Sequence, residues 1–318
     1  MGNMCGATHG HAFEATNDGG LIRPLGLAWS SSCMQGWRDY MEDRHFAVPS
    51  LQSGVWQDTA AFAVLDGHGG AQVAEFCLSR LPQAIAEGSP LEKDTALVNA
   101  FHKMDELLMG DDRAPAVPQL RGGCAAVVGL ISNSEIVIAH AGDCRAVLCR
   151  QGETVALTED HKPGNPSESK RIIAAGGYLT TGSNGDLRVC SDLNLSRAIG
   201  DLRFKNNPNL THSEQIICST PDVTFIPRTP ADEFIVLACD GVWDVITNEA
   251  AVAFIRPRLM QCQPGDVDRM STITSDLLQT CVSPNLSETN GLGGDNLTAM
   301  VVSLQVNSSQ GAGGRMAR

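Results

Sequence analysis

Aromatic residues are scarce in this chain, 5% of 318, so a core must come largely from Val, Ile, Leu and Ala. Basic residues are in short supply too: 23 Lys and Arg stand against 36 Asp and Glu, a formal net charge of −13. A nucleic-acid binder carries the opposite excess, so that class is set aside and no nucleic-acid partner is expected. No stretch approaches the ~20 apolar residues that span a bilayer, and no hydrophobic signal segment is visible. The 11 cysteines include no CxxC pair and no dense framework. That spacing argues against a disulfide scaffold and for reduced thiols in a cytoplasmic protein. Internal repeats and long linkers are also missing. One domain is expected despite the length, with monomer as the default state.

What is present begins with the termini. Residues 1–25 are rich in Gly, Asn and Thr without hydrophobic period and read as a flexible tail, as do residues 307–318; the folded domain is expected over 26–306. The chain opens Met1-Gly2-Asn3-Met4-Cys5-Gly6. Loss of Met1 would expose Gly2 to myristoylation, although the usual pattern wants Ser or Thr where Gly6 stands. Cys5 could add a palmitoyl chain, which matters because one myristoyl group binds membranes with only about 10⁴ M⁻¹. Two readings stay open: peripheral membrane attachment through Gly2 and Cys5, and an unmodified Gly-rich tail.

Short runs rich in Val, Ile and Ala, mostly bounded by Gly, Asp, Asn or Pro, mark strands at 44–49, 60–66, 124–132, 135–141, 145–150, 216–225, 233–239 and 296–305. ISNSEIVI and AHAGDCRA read as hairpin connections. Helical spacing appears after Gly70, at Val73, Phe76, Cys77, Leu81, Ala84 and Ile85, and again after Ser89-Pro90, at Leu97, Phe101, Met104 and Leu108. A second helix pair is expected over 247–260 and 264–282, with Pro257 kinking or ending its first member. Clusters of strands separated by helix pairs fit sheets packed together with helices outside, an α+β fold.

Four aspartates sit where apolar runs begin or end: Asp66 in AAFAVLDGHGG, Asp143 in EIVIAHAGDCRAVL, Asp240 in EFIVLACDGVWDV and Asp295 in GGDNLTAMVVSLQV. Glu42 and Asp43 precede another run. Carboxylates on the rim of an apolar sheet are costly to hold together without a compensating cation, which suggests divalent metal ions. Antiparallel pairing would bring Glu42 beside Asp66 and Asp240 beside Asp295. Taken singly each signal is weak. Asp-Gly at 66–67 and 240–241 is an ordinary turn pair, His68 could be a surface histidine and Arg38 a surface cation. Together, hard carboxylate oxygens, an Arg and a His are the components of two-metal phosphate ester hydrolysis.

The stretches GWRDYMEDRH, FAVLDGHGG, AGDCRAVL, LTEDHKPGNPSESKRIIAAGG, LNLSRAIGD, SEQIICSTPDV, FIVLACDGVWDV and GGDNLTAMVV occur in one order over residues 26–306. In that order the chain resembles protein phosphatases of the 2C type, the PPM family of metal-dependent Ser/Thr phosphatases. The resemblance implies a central β-sandwich of two antiparallel sheets flanked on each side by a pair of antiparallel helices. It implies two Mn²⁺ or Mg²⁺ ions bridged by Asp66, one completed by Asp240 and Asp295, the other by Glu42 and the carbonyl of Gly67. Asp143, with Asp240, would hold a weaker third ion. Arg38 would grip the phosphate oxygens and His68 would act as general acid. Asp43, Asp201 and Asp244 would orient ligands and loops. Residues 168–177 would belong to a flap beside the site. The implied reaction is direct attack on phosphoserine or phosphothreonine in proteins by a metal-bridging hydroxide, without a phospho-enzyme. The chain departs from the family where Gly123-Cys124-Ala125-Ala126 replaces a hydroxyl-bearing strand start, at His140, and at Leu193-Asn194-Leu195; none of these removes an implied ligand.

Two rival readings stand beside this one. Cys144 and Arg150 satisfy the C-x₅-R spacing of cysteine phosphatases, yet the residues between them are strand-like and lack the glycines that wrap a phosphate. A pseudoenzyme using the fold for interaction has no reason to keep so costly an acidic set.

Overall fold

The computed structural model describes residues 13–52, 54–88, 92–110, 122–182 and 185–305. The first half of the chain forms β1 (Thr16–Ile22), β2 (Leu27–Met34), β3 (Arg44–Val48), β4 (Ala60–His68), α1 (Gln72–Ala86), α2 (Lys93–Met109), β5 (Gly123–Ile131), β6 (Glu135–Ala141) and β7 (Arg145–Arg150). Then follow β8 (Glu153–Ala156), α3 (Pro166–Ala174), β9 (Leu179–Thr181), β10 (Leu187–Val189), β11 (Ile199–Gly200) and β12 (Asp222–Pro227). Last come β13 (Asp232–Ala238), α4 (Asp240–Trp243), α5 (Asn248–Leu259), α6 (Val267–Cys281) and β14 (Leu297–Ser303).

The strands pair antiparallel into two sheets, one ordered β1-β2-β14-β13-β7-β8 and the other β12-β6-β5-β4-β3 with β11 on β5; β9 and β10 form a separate ribbon. The sheets pack face to face around Leu27, Phe62, Val64, Val127, Leu237 and Met300. The outer face of the β4 sheet, at Ala61, Ala63 and Leu65, buries Val73, Leu81, Leu97 and Phe101 of α1 and α2. The outer face of the β14 sheet meets Ile255, Ile273 and Leu277 of α5 and α6. The α+β sandwich expected from the sequence is thus the fold observed. Central strands are buried on both faces and therefore read as continuous apolar runs rather than alternating ones.

Three expectations need correction. AHAGDCRA is not a hairpin: β6 and β7 belong to different sheets, and Gly142, at φ +111°, carries the chain from one to the other. The N-terminal stretch read as a tail to residue 25 contains β1, paired with β2 along its whole length. Its Gly19-Gly20 pair offers no side chains, which hid the strand. Residues 216–221 are not strand. β12 starts after Pro221, which has no N–H for the ladder, while Ile217 and Cys218 pack into the core. Pro257, by contrast, stands near the end of its helix as expected: α5 stops two residues later, at Leu259.

β2, LAWSSSCM, also went unrecognised. Its three central serines are buried, and each hydroxyl is satisfied: Ser30 Oγ with Thr274 Oγ1 at 2.7 Å, Ser31 Oγ with His45 Nε2 at 2.9 Å, and Ser32 Oγ to Asn17 Oδ1 at 2.6 Å. Ser89-Pro90, the acylation candidates Gly2 and Cys5, and residues 307–318 lie outside the described residues. No helix among the described residues is long and apolar enough to cross a membrane.

Candidate metal and phosphate site

At one end of the sandwich five chain segments converge: the loop before β3, the end of β4, the β6–β7 crossing, the start of α4 and the start of β14. The register explains it. Arg44 pairs with Leu65, so Asp43 falls opposite Asp66; Ala238 pairs with Ala299, so Asp240 and Asp295 flank the same end of the other sheet. A cavity of about 470 Å³ opens there. All eight site residues expected from the sequence line it: Arg38, Glu42, Asp66, Gly67, His68, Asp143, Asp240 and Asp295.

Carboxylates gathered this way repel one another. Burial, then the charges of Asp43, Asp240, Asp143 and Asp295, holds the Asp66 carboxyl well above its usual range. Asp240 is raised likewise by burial and then by Asp143, Asp244 and Asp295. Asp43 does not line the cavity. It lies fully buried behind Asp66, accepting from Thr298 Oγ1 at 2.7 Å, and burial lifts its pKa to about 7. Among the described residues, Asp43, Asp66 and Cys239 form a group whose ligand atoms lie within 4.8 Å of one another. Burial and the neighbouring aspartates keep the Cys239 thiol protonated, so the usable donors are oxygens. An oxygen-only, over-charged acidic pocket fits hard divalent cations such as Mg²⁺ or Mn²⁺.

The backbone is shaped for close approach. A Cβ on Gly67 would lie 2.6 Å from the Glu42 carbonyl oxygen, and one on Gly123 would lie 2.2 Å from Asp201 Oδ2. Only glycine admits these contacts. His68 Nε2 sits 2.6 Å from Asp201 Oδ2. Burial lowers the imidazole pKa, but the hydrogen bond and charge of Asp201 outweigh it and hold His68 above its ordinary value. Arg38 Nη2 is 2.5 Å from Asp295 Oδ2, with the two side chains 59% and 37% exposed.

Two residues were not singled out beforehand. Lys162 Nζ lies 2.5 Å from the buried Asp143 Oδ2, and this pairing, against the opposing effect of burial, raises the ammonium pKa. Asn296 ties the loop bearing Arg38 to β14: Nδ2 donates to Gln35 O at 2.7 Å and Tyr40 O at 3.0 Å, and Oδ1 accepts from Glu42 N at 2.8 Å. Both fall within motif stretches, at HKP and GGDN, but nothing in their spacing announces these partners. Asp244 and helix α3 do not line the cavity; Arg188, Asp192, Leu193, Asn194, Leu195 and Arg203 do. His140 stacks on His161 with ring centroids 4.4 Å apart, and its Nε2 donates to Glu159 O at 2.9 Å. It thereby packs against the loop that presents Lys162.

The C-x₅-R rival finds no support in the geometry. Cys144 is buried, with its thiol pKa pushed well up by burial and by Asp66. Arg150 stands at the other end of β7, paired with Asp232 at 2.6 Å.

A model of the family Protein phosphatase 2C matches residues 27–289. Protein phosphatase 2C homolog 3 of Schizosaccharomyces pombe is 39% identical over 87% of this chain, which spans 64% of that protein's length. Protein phosphatase 2C 1 of Paramecium tetraurelia is 36% identical over 88% of this chain and 93% of its own. Among solved structures, a phosphatase from a pathogenic strain of Toxoplasma gondii superimposes with a TM-score of 0.72, covering 90% of this chain and 95% of its own at 22% identity.

Proposed function

The chain belongs to the protein phosphatase 2C family, and on that premise we propose that it is a metal-dependent phosphatase of phosphoserine and phosphothreonine in proteins. The observation that carries the reading is the acidic cavity, where Glu42, Asp66, Gly67, Asp143, Asp240 and Asp295 meet beside Arg38 and His68. Glu42, Asp66, the Gly67 carbonyl, Asp240 and Asp295 would hold two Mn²⁺ or Mg²⁺ ions, and Asp143 a weaker third. Bound there, the ions would acidify a water at neutral pH and offset the phosphate's negative charge.

The chain's own residues do the rest. Arg38 presents a planar fork that matches two phosphate oxygens. Its exposed pair with Asp295 is worth about 0–1 kcal/mol and yields readily to a phosphate. His68 gives its proton to the departing Ser or Thr oxygen. Because Asp201 accepts from Nε2, Nδ1 is the nitrogen left to donate. Asp43 and Thr298 brace Asp66 from behind. Peripheral membrane attachment through Gly2 and Cys5 remains part of the same proposal, with a catalytic domain that begins at β1 rather than at residue 26.

Phosphate release from a phosphothreonine peptide, followed against Mn²⁺ and Mg²⁺ concentration, tests it. Turnover should rise with metal, vanish with chelator and be lost in Asp66→Asn. A wild-type protein that binds Mn²⁺ yet releases no phosphate would refute the assignment.

A further inference from the structure

Two guanidinium groups in the cavity take no part in the chemistry above. Arg188 on β10 and Arg203, in the 3₁₀ turn after β11, both line it. Both are tied to one residue. Arg188 Nη1 donates to Asp192 O at 2.7 Å, and Arg203 Nη2 pairs with Asp192 Oδ2. Arg188 Nη2 also reaches Asp186 Oδ2 at 3.0 Å, and the Arg203 guanidinium lies 4.6 Å from the Phe204 ring centroid, which restrains it without consuming its donors. Arg203 and Asp192 are 53% and 44% exposed, so their pair is weak and exchangeable. An incoming phosphate or carboxylate, offering two oxygens to a guanidinium fork, is a stronger partner than this single contact. The Asp192 carboxylate thus holds on Arg203, and the Asp186 carboxylate on Arg188, the place that a substrate anion would take.

We propose that Arg203 and Arg188 form a second anion subsite, selecting phosphoprotein substrates that carry another acidic group near the phosphorylated residue. The subsite rests on the phosphatase reading for its purpose, though its affinity for anions can be measured without turnover.

The test uses one phosphothreonine peptide in three series, with a neutral residue, Asp or phosphoserine placed in turn at each flanking position. Wild-type kcat/KM should favour the acidic series about tenfold at one or two positions, mainly through KM and less so at high salt. The preference should disappear in Arg188→Ala/Arg203→Ala, persist in part in Arg203→Lys and widen in Asp192→Asn, which removes the charge that competes on Arg203. Comparing the Asp and phosphoserine series shows which anion the subsite takes. Equal treatment of all three series by wild type, or an undiminished preference in the double variant, would overturn the proposal. Hydrolysis of p-nitrophenyl phosphate, which has no flanking group, reports on the catalytic reading alone. If it fails, fluorescence-anisotropy binding of the same peptides still decides the subsite, with the same ranking expected.

Discussion

His68 and Asp201 stand 133 positions apart in the chain and 2.6 Å apart in space, and the role of each depends on that distance. A histidine oriented by a carboxylate keeps one nitrogen occupied and the other aimed. His68→Ala should therefore lower kcat about 10²–10⁴-fold with little change in KM. Asp201→Asn, which keeps a hydrogen-bonding group but removes the charge, should lower it less; steady-state kinetics on one phosphopeptide measures both. At this scale the sequence was informative about residue types and poor about partners. Asp66 and Asp240 were legible because Asp-Gly turns end apolar runs, whereas the role of His68 came only from the family resemblance. Lys162 was not, because an ammonium that turns onto Asp143 leaves no mark on spacing. Its neighbour His161 is held from two sides, accepting from Gly142 N at Nδ1 and meeting Asp222 at Nε2.

Helix α3 lies outside the cavity and earns its place by anchoring the segment that lines it. Glu168, 3% exposed, accepts from Arg197 Nη2 at 2.7 Å, Arg171 Nη1 at 2.6 Å and Ser196 Oγ at 2.7 Å; Arg197 continues to Asp222 at 2.6 Å. Burial would raise the Glu168 carboxyl, but the two arginines dominate and hold it at about 2, against an ordinary 4.5. A depressed folded-state pKa means stabilisation that is complete above the unfolded value and is lost as pH falls from about 4.5 through about 2. Glu168→Gln should cost about 3 kcal/mol near neutral pH, because it leaves the half-buried Arg171 without its carboxylate and Arg197 with Asp222 alone. It should also flatten the decline of melting temperature between pH 5 and pH 2; thermal unfolding of both proteins across that range is the measurement. Among elements, helices α1 and α2 were readable from their spacing, since apolar residues three and four apart can serve only one face. The AHAGDCRA crossing was not. A Gly-Asp between two apolar runs looks the same whether the second strand returns to its own sheet or joins the opposite one.

For the molecule as a whole, the acidic end of the sandwich is a region that folding must hold together against its own charge. Cations bound there should stabilise the fold in proportion to occupancy, about 2.7 kcal/mol at a hundredfold excess over Kd. Calorimetry should show a melting temperature several degrees higher in millimolar Mn²⁺ than with chelator, and Asp66→Asn/Asp240→Asn should lose most of that difference. An unchanged melting temperature on adding metal would argue against cations at this end. The sequence by itself determined the fold class, the helix pairs and the kinds of residue at the site, because periodicity and turn chemistry are local properties that each segment carries with it. Only the tertiary structure decided that β6 and β7 part company at Gly142, that Lys162 turns onto Asp143, and that Arg188 and Arg203 share Asp192. Those outcomes depend on which sheet a strand joins and in what register, and register is settled by long-range packing of two apolar faces that no single segment contains.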